Sequence, residues 1–330
     1  MKNINLYTIY IFSIFCFCDI FCETLEKETK KIIGPEVHIA QLIQGRAISR
    51  HYPYALPTLL KYIKKETTLN VNQEVKLLTS FEDRRMFQFP FIYVNYADRK
   101  DWHFTEKEKT NLRSYLERGG FIYIDAGINA DFLSEKGAGQ HHSYAEWRAA
   151  PDLAEAFKEL FPEKDFVSLP RSHPLFSVFY SGLPDTEILP DTVREFVKKE
   201  KWPGGTYSAV SLKFDGRIGV LATPIIAMGW GKNNLGQWQT TIRFRIRENT
   251  DGLSEYLKTA AYSGARFEVM REEGTKDIVF CQKRALPAWV NEPDGEWRVF
   301  RYYQSTEISD YAHVFYTRLG ANILIYAMTH

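Results

Sequence analysis

A strand, a helix and a second strand follow one another within residues 91–125, and this unit constrains the fold more than any other feature of the chain. Phe91 to Asn95 and Phe121 to Asp125 are two runs of β-branched and aromatic residues. Between them, Thr105-Glu106-Lys107-Glu108 has the pattern of a helix capping box, and Gly119-Gly120 is a common helix end. Because strands joined by a crossover helix pair in parallel, the unit predicts an α/β fold with a parallel sheet.

The two strands of this unit are apolar on both faces, which is typical of a sheet covered by helices on each side. Asn95 and Asp125 are the last residues of the two runs. Carboxyl ends of parallel strands meet at one edge of the sheet, and open α/β sheets bind their ligands there. The sequence therefore predicts a ligand cleft at the ends of these strands.

Other stretches predict the rest of one domain spanning residues 23–330. Apolar periodicity indicates helices at 56–65, 145–161 and 311–328. Short runs indicate strands at 37–43 and 74–78, Asp215-Gly216 indicates a hairpin turn, and the polar stretch 131–143 indicates a loop. The region 232–304 combines strand-like runs with a helical stretch near 253–262, and we interpret it as a mixed α+β insertion.

The first 22 residues have the pattern of a secretory signal peptide. Lys2 precedes an apolar run that extends through Phe17, and charged residues return at Glu23. The run is shorter than the ~20 apolar residues of a spanning helix. We therefore expect an exported protein of the periplasm or cell envelope. Its membrane contact would be limited to this leader, or to a lipid anchor on a cysteine at 16, 18 or 22.

Charge and cysteine content exclude several classes of protein. The 42 basic and 41 acidic residues nearly cancel, so no nucleic-acid partner is expected. Three of the four cysteines lie in the leader, which leaves Cys281 and rules out a disulfide framework or a cysteine-based zinc site. We predict no cofactor.

Asp125 is the strongest candidate for a functional residue. A carboxylate at a strand end can accept hydrogen bonds from a ligand or bind a cation, although it can equally cap the following turn or pair with an arginine. Asn95 and Tyr96 are its expected neighbours in a ligand site.

Four histidines and an arginine complete the candidates. His173 before Pro174, and His51 beside Arg50 in the loop after the first strand, are candidates for ligand contacts; anchoring a turn or lying in solvent are the alternatives. His141 and His142 could hold a metal ion together with an aspartate. Adjacent histidines rarely face one ligand, so we favour surface histidines.

The sequence lacks the motifs of several hydrolases and nucleotide-binding proteins. Gly-x-Ser-x-Gly, Gly-x-x-x-x-Gly-Lys-Ser/Thr and His-Glu-x-x-His do not occur. An amidotransferase would need a cysteine on a tight turn after a strand, and residues 125–127 are Asp-Ala-Gly. A glutaminase of that type is therefore not favoured.

Several runs taken together resemble the bacterial family known as domain of unknown function 4159. They are the two strands at 89–94 and 119–125, Ser172-His173-Pro174-Leu175-Phe176, the run 215–220 and the terminal run 319–330. The resemblance spans roughly residues 37–220 and the last helix, and does not cover 232–304. It implies a flavodoxin-like parallel sheet with helices on both faces, akin to class I glutamine amidotransferases, in envelope proteins of undefined biochemistry.

The chain departs from the family pattern near its candidate site. Ala126 and Gly127 follow Asp125 where family members often have a second acidic residue, and Asn95 to Asp98 stand where glycine and histidine are usual. The leading hypothesis is a non-catalytic module that binds a small ligand or an envelope protein at the strand ends. The rival is a hydrolase acting through Asp125 and a histidine, with or without a metal; a third is a scaffold whose insertion makes the contacts.

Overall fold

A computed structural model describes the fold of the chain. The residues that it describes are 33–44, 52–132, 145–181, 187, 189, 194, 209–232, 235–238, 244–247, 266–270, 276–280, 287–291, 297–303 and 306–330.

Sixteen strands and four α-helices are found within the described residues. The strands are β1 (Ile33–Val37), β2 (Ile39–Leu42), β3 (Leu69–Val71), β4 (Lys76–Leu78), β5 (Phe91–Asn95), β6 (Phe121–Asp125), β7 (Ile128–Phe132), β8 (Ala145–Ala149), β9 (Val167–Ser168), β10 (Val210–Phe214), β11 (Arg217–Ala222), β12 (Phe244–Arg247), β13 (Arg266–Met270), β14 (Lys276–Phe280), β15 (Pro287–Asn291) and β16 (Trp297–Tyr303). The helices are α1 (Ala55–Glu66), α2 (Glu106–Glu117), α3 (Pro151–Leu160) and α4 (Thr306–Thr329).

Seven strands form the central sheet in the order β4-β2-β5-β6-β11-β10-β9. The first five are parallel to one another, and β10 and β9 continue one edge in antiparallel pairing. Numbered along the chain, the parallel strands stand in the order 2-1-3-4-5, which is the flavodoxin-like order. The predicted fold class is therefore confirmed.

Helices cover both faces of this sheet, as the two-sided apolar strands predict. Side chains alternate between the faces along each strand. Tyr93 and Tyr123 pack on one face with α1 and α4, whereas Val94 and Ile124 pack on the other with α2 and α3. Each face thus has a core of its own, and the last helix of the chain belongs to the same face as the first.

The strand–helix–strand unit forms as its sequence predicts. The Thr105 hydroxyl accepts from the Glu108 backbone N–H, and the Glu108 carboxylate accepts from the Thr105 N–H, which completes the capping box of α2. The chain leaves the helix through Gly119, whose φ of +104° suits a residue without a Cβ. The predicted hairpin is also confirmed, since Asp215 (φ 49°) and Gly216 (φ 86°) turn β10 into β11.

The helix predicted over 145–161 is wrong at its start. Residues 145–149 form β8, which pairs antiparallel with β7, and α3 begins only at Pro151. Proline disfavours the helical conformation in the residue before it and is itself favoured at the first helical position. Ala150 accordingly has an extended ψ of 139°.

Smaller differences lie at both ends of the chain. The strand predicted over 37–43 corresponds to β2, whereas β1 before it and β3, which pairs with β1, were not predicted. The loop predicted over 131–143 begins within β7, and its remainder lies outside the described residues, as does the helical stretch near 253–262. Strands β12 to β16 lie within the predicted insertion, and α4 begins five residues earlier than predicted.

Among the described helices, none combines the length and apolarity that crossing a bilayer requires.

Candidate functional site

The ends of β5 and β6 bring together two of the predicted site residues. Asn95 and Asp125 are register partners in the parallel pair, and the Asn95 amide Nδ2 donates to the Asp125 carboxylate over 3.0 Å. Both side chains are buried, and Asp125 has no exposed surface. The pair points to the face of the sheet that carries α1 and α4, because it continues the alternation of Tyr93 and Tyr123.

The Asp125 carboxylate accepts hydrogen bonds from donors of its own chain at both oxygens. Oδ1 accepts from the backbone N–H groups of Ile226 (2.7 Å) and Ala227 (3.2 Å) and from the Tyr123 hydroxyl (3.3 Å). Oδ2 accepts from Asn95 and from the Tyr93 hydroxyl (3.4 Å). Five donors thus saturate a buried carboxylate, as its burial requires.

Burial dominates the acid–base properties of this cluster. It raises the pKa of Asp125 to about 6, and the N–H groups of Ile226 and Ala227 oppose that rise by stabilising the charged form. Burial, followed by the negative charge of Asp125, raises the pKa of Tyr93 and Tyr123 well above their usual value. The tyrosines therefore remain protonated donors to the carboxylate.

Asp125 fixes the turn after β11, and through it the helix α4. Ile226 and Ala227 open a short 3-10 helix at Ala227–Gly229. The Gly229 carbonyl is hydrogen-bonded to the ring of buried His313 (2.9 Å) and accepts from the Thr317 hydroxyl (3.4 Å), both on α4. We call the Asp125 carboxylate, its five donors and this turn the Asp125 hub. Its position at the strand ends is that of a ligand site, and its contacts are those of a structural anchor.

Tyr96 lies apart from the hub. Its hydroxyl donates to both oxygens of Asp152 in the first turn of α3, over 2.5 and 2.6 Å, and its ring stacks on Trp102 at 5.5 Å. Burial, together with the Asp152 carboxylate, raises the pKa of Tyr96 to about 12. Tyr96 thus links the end of β5 to α3 on the opposite face from Asp125.

His173 lies far from the hub along α4. Its Nδ1 accepts from the Leu175 N–H (3.2 Å), which caps a 3-10 helix, and its ring lies 5.5 Å from that of Tyr326. Tyr326 follows Tyr316, which faces the charge of Asp125, by ten residues, or ~15 Å of helix. Burial lowers the pKa of His173. The structure therefore does not bring His173 and Asp125 together.

The other predicted residues lie outside the part of the chain that the structure describes. These are Arg50, His51, His141 and His142. Within the described residues, no group of three or more histidine, cysteine, aspartate or glutamate side chains is arranged to hold a metal ion.

A groove that the sequence did not indicate opens between α1 and α4, on the outer side of the hub. Its volume is about 700 Å³, within the range of pockets for small molecules. One wall is a face of α1, another is α4, and Trp230, Lys232, Gly236 and Trp238 close one end. The lining side chains and backbone belong to Tyr54, Pro57, Thr58, Lys61, Tyr62, Lys65, Gln73, Trp230, Lys232, Gly236, Trp238, Val314 and Thr317.

Trp230 and Trp238 build the end of this groove nearest the hub. Trp230 is 1% exposed and donates from its indole nitrogen to the Tyr316 carbonyl over 2.9 Å. Trp238 lies flat on His313, with ring centroids 3.8 Å apart and planes at 2°, and donates to the Asp310 carboxylate over 2.9 Å. Trp230 directly follows the 3-10 turn that Asp125 positions, so the hub also helps to place one wall of the groove.

Lysines and aromatic rings dominate the lining. Lys61, Lys65 and Lys232 are its charged residues, and no aspartate or glutamate lines the groove in the described structure. Part of one wall is visible in the sequence, because Lys61, Tyr62 and Lys65 recur at helical spacing on α1 and Tyr54 directly precedes this helix. The other two walls, formed by Trp230 with its neighbours and by α4, lie some 170 and 255 residues further along the chain. No local sequence pattern therefore reveals the groove.

Comparisons with known proteins place the chain in a family. A search of curated proteins gave no match. The family model for a domain of unknown function, DUF4159, matches residues 38–328. The bounds of this match enclose residues 232–304, which the motifs quoted above did not cover. The chain belongs to the DUF4159 family.

Proposed function

We propose that this protein is exported to the cell envelope and binds a small ligand there, without catalysing a reaction, in the groove between α1 and α4. One observation carries the proposal. The polar groups at the strand ends are engaged with one another, whereas the groove presents three lysines and the rings of Tyr54, Tyr62 and Trp238 around about 700 Å³ of space.

The turn after β6 supports a non-catalytic role. Ala126 follows Asp125 directly and has a φ of 62°, a conformation that residues other than glycine rarely adopt. Enzymes place a nucleophile on a strained turn after a strand in this way. Here the side chain is a methyl group, which cannot attack a substrate. An amidotransferase-like ancestry would account for a turn of this kind without its nucleophile.

The rival hypothesis, a hydrolase acting through Asp125 and a histidine at the strand ends, gains support from the raised pKa of Asp125. A pKa of about 6 suits a general acid or base. Such a group must also reach the proton that it transfers, and Asp125 is fully buried with both oxygens engaged by its own chain. The groove therefore accounts better for the described geometry than hydrolysis at the strand ends.

Export rests on the leader. The charged start, the apolar run and the polar residues from Glu23 onward are the pattern of a signal peptide. We expect the protein in the periplasm or at the envelope, where its partner is a small ligand or an envelope protein. Fractionation of cells that express the full-length chain, with mass spectrometry of its N-terminus, tests this location.

A thermal-shift screen of the purified protein tests the binding role. The compounds are sugars, amino acids, organic acids, nucleotides and divalent metals. A ligand present at 100 times its dissociation constant stabilises the folded state by ~2.7 kcal/mol, which raises the melting temperature measurably.

Two tryptophan substitutions locate the site of any compound that stabilises the protein. Thr58→Trp fills the groove from α1, and Thr110→Trp places the same ring on an exposed face of α2 as a control. We expect Thr58→Trp alone to abolish the shift. A shift that survives Thr58→Trp, or a screen without any shift, would contradict the proposed function.

A further inference from the structure

We infer that the groove between α1 and α4 selects ligands that combine a planar ring with an anionic group, a carboxylate or a phosphate. This inference rests on the proposed function and names the chemical class of its ligand.

The charges of the groove are the first step of the argument. Lys61 and Lys65 are one turn apart on α1, and Lys232 lies across from them. Lys65 pairs with Glu66 at 3.3 Å, whereas Lys61 and Lys232 form no ion pair with any residue in the described ranges. A concave site with charges of one sign and no acidic lining attracts the opposite charge. An anion entering the groove would supply the counter-charge that the chain does not.

The position of Lys232 is the second step. Its ammonium lies 4.3 Å from the centroid of the Trp238 ring, and Lys232 and Trp238 are paired by an isolated antiparallel bridge. The ring itself is held between His313 and Asp310 on α4. Because this contact already restrains the lysine, binding an anion would cost it less conformational freedom than a solvated side chain loses. The Asp310 carboxylate accepts from the indole nitrogen and does not line the groove.

The rings of the lining are the third step. Tyr54, Tyr62, Trp230 and Trp238 all contribute to the groove. Three of them have polar atoms that are occupied within the chain: the Tyr62 hydroxyl donates to Tyr180 over 2.8 Å, and both indole nitrogens donate to α4. Trp230 is 1% exposed and only backs the groove, so the rings that can contact a ligand are those of Tyr54, Tyr62 and Trp238, which favour offset or edge contacts with another ring.

The lysine charges and the aromatic rings of the lining together disfavour other classes of ligand. A cation would meet three lysines, and a small inorganic anion would leave the aromatic lining in contact with water. A neutral ring compound would fill the space but leave the charges of Lys61 and Lys232 without an ion pair among the described residues. Only a compound with both parts makes both kinds of contact.

A matched set of naphthalene compounds tests the inference by isothermal titration calorimetry. The set is naphthoate, naphthyl phosphate, naphthylmethanol and naphthylmethylammonium, with acetate and inorganic phosphate as anions without a ring. We expect the two anionic ring compounds to bind about tenfold or more tightly than the neutral alcohol, and their affinity to fall with added salt. The cation, acetate and phosphate should bind more weakly than the alcohol or not measurably.

A lysine substitution shows whether the groove makes this selection. Lys61→Met removes a charge from α1 while keeping a long side chain, and Lys213→Met makes the same change at an exposed position on β10, away from the groove. We expect Lys61→Met to weaken the anionic probes about five- to tenfold and leave naphthylmethanol unchanged. Lys213→Met should change neither, and melting curves confirm that both variants are folded.

The outcomes separate this inference from the proposed function. If naphthylmethanol binds as tightly as naphthoate and Lys61→Met has no effect, charge selection is wrong, while the groove remains a binding site provided that Thr58→Trp abolishes the binding. If none of the probes binds, the ring-and-anion class is overturned. The proposed function is then decided by the wider screen and Thr58→Trp.

Discussion

The Asp125 hub and the groove between α1 and α4 share a wall, yet they use their polar groups in opposite ways. In the hub, a carboxylate, an amide, two tyrosine hydroxyls and two backbone N–H groups are buried and satisfy one another. In the groove, three lysines contribute to the lining, and no acidic side chain among the described residues does. Polar residues at the ends of parallel strands are therefore not a binding site by position alone. Whether their hydrogen-bonding capacity is already used decides between an anchor and a site.

The largest expected effect comes from breaking the hub. Asp125→Ala leaves the N–H groups of Ile226 and Ala227 and the amide of Asn95 buried without their acceptor, and should lower the free energy of unfolding by ~3–5 kcal/mol. It should also weaken ligand binding in the groove, because the turn bearing Trp230 loses its anchor.

Urea unfolding measures this effect against a second aspartate. Asp152→Ala removes an exposed carboxylate that accepts from Tyr96 and should cost no more than ~1 kcal/mol. Equal losses in the two variants would mean that Asp125 is not the anchor that its contacts indicate.

The second prediction uses pH to isolate the charge of the hub. The pKa of Asp125 is about 6 in the folded protein, above the ~3.9 of an unfolded aspartate. Between these values the folded state binds more protons, so the contribution of Asp125 to stability increases as the pH falls. Relative to Asp125→Asn, the wild type should gain ~2–3 kcal/mol between about pH 7 and pH 4. Urea unfolding of both proteins across this range measures the gain, and a gain that appears instead as the pH rises would reverse the assignment of burial as the dominant cause.

The third prediction concerns the close contact of α4 with Trp230 and Gly229, which lies between the hub and the groove. A Cβ on Gly320 of α4 would lie 2.6 Å from the Trp230 indole, and one on Gly229 would lie 2.5 Å from the Tyr316 Cβ. Gly320→Ala should therefore push α4 away from the turn and destabilise the fold by ~1–3 kcal/mol. Val314→Ala, at a half-exposed position of the same helix, should change stability by less than ~0.5 kcal/mol. Thermal unfolding that ranks these variants the other way would show that the helix packs loosely there.

The smallest effect is expected in the groove itself. Removing the Lys61 charge relieves repulsion from Lys65 and breaks no ion pair among the described residues, so Lys61→Met should leave stability within ~0.5 kcal/mol of the wild type. Chemical denaturation measures this. A loss of 2 kcal/mol or more would mean that the lysine serves the fold, which would remove the contrast with the hub.

Much of the fold is predictable from local sequence, and the reasons are specific. The capping box at Thr105 and Glu108, the glycines after α2 and the hairpin at Asp215-Gly216 each encode their geometry within a few residues. The helix predicted over 145–161 was wrong at its start because an apolar period continued across Pro151. The proline disfavours the helical conformation in Ala150, so the helix begins at residue 151.

The site was less predictable because its decisive contacts are not local. The sequence places Asp125 at a strand end, and its pairing with Asn95 follows from parallel register. Its enclosure depends on Ile226 and Ala227, about a hundred residues later in the chain. The groove likewise needs α1, α4 and the side chains of Trp230, Lys232 and Trp238, which only the packing of the last helix brings together.

The position of α4 in the chain also affects how the protein is made. Tyr93, Tyr123 and Trp230 lie on the face of the central sheet that α4 completes. The last strand of this sheet along the chain, β11, ends at residue 222, whereas α4 begins at residue 306. At typical rates of synthesis, on the order of ten seconds pass between the synthesis of β11 and that of α4. A nascent chain would expose a broad aromatic surface throughout that interval. We therefore expect the unfinished chain to need protection from aggregation while this surface is exposed. Stopping translation before residue 306 should yield aggregates rather than a smaller folded domain.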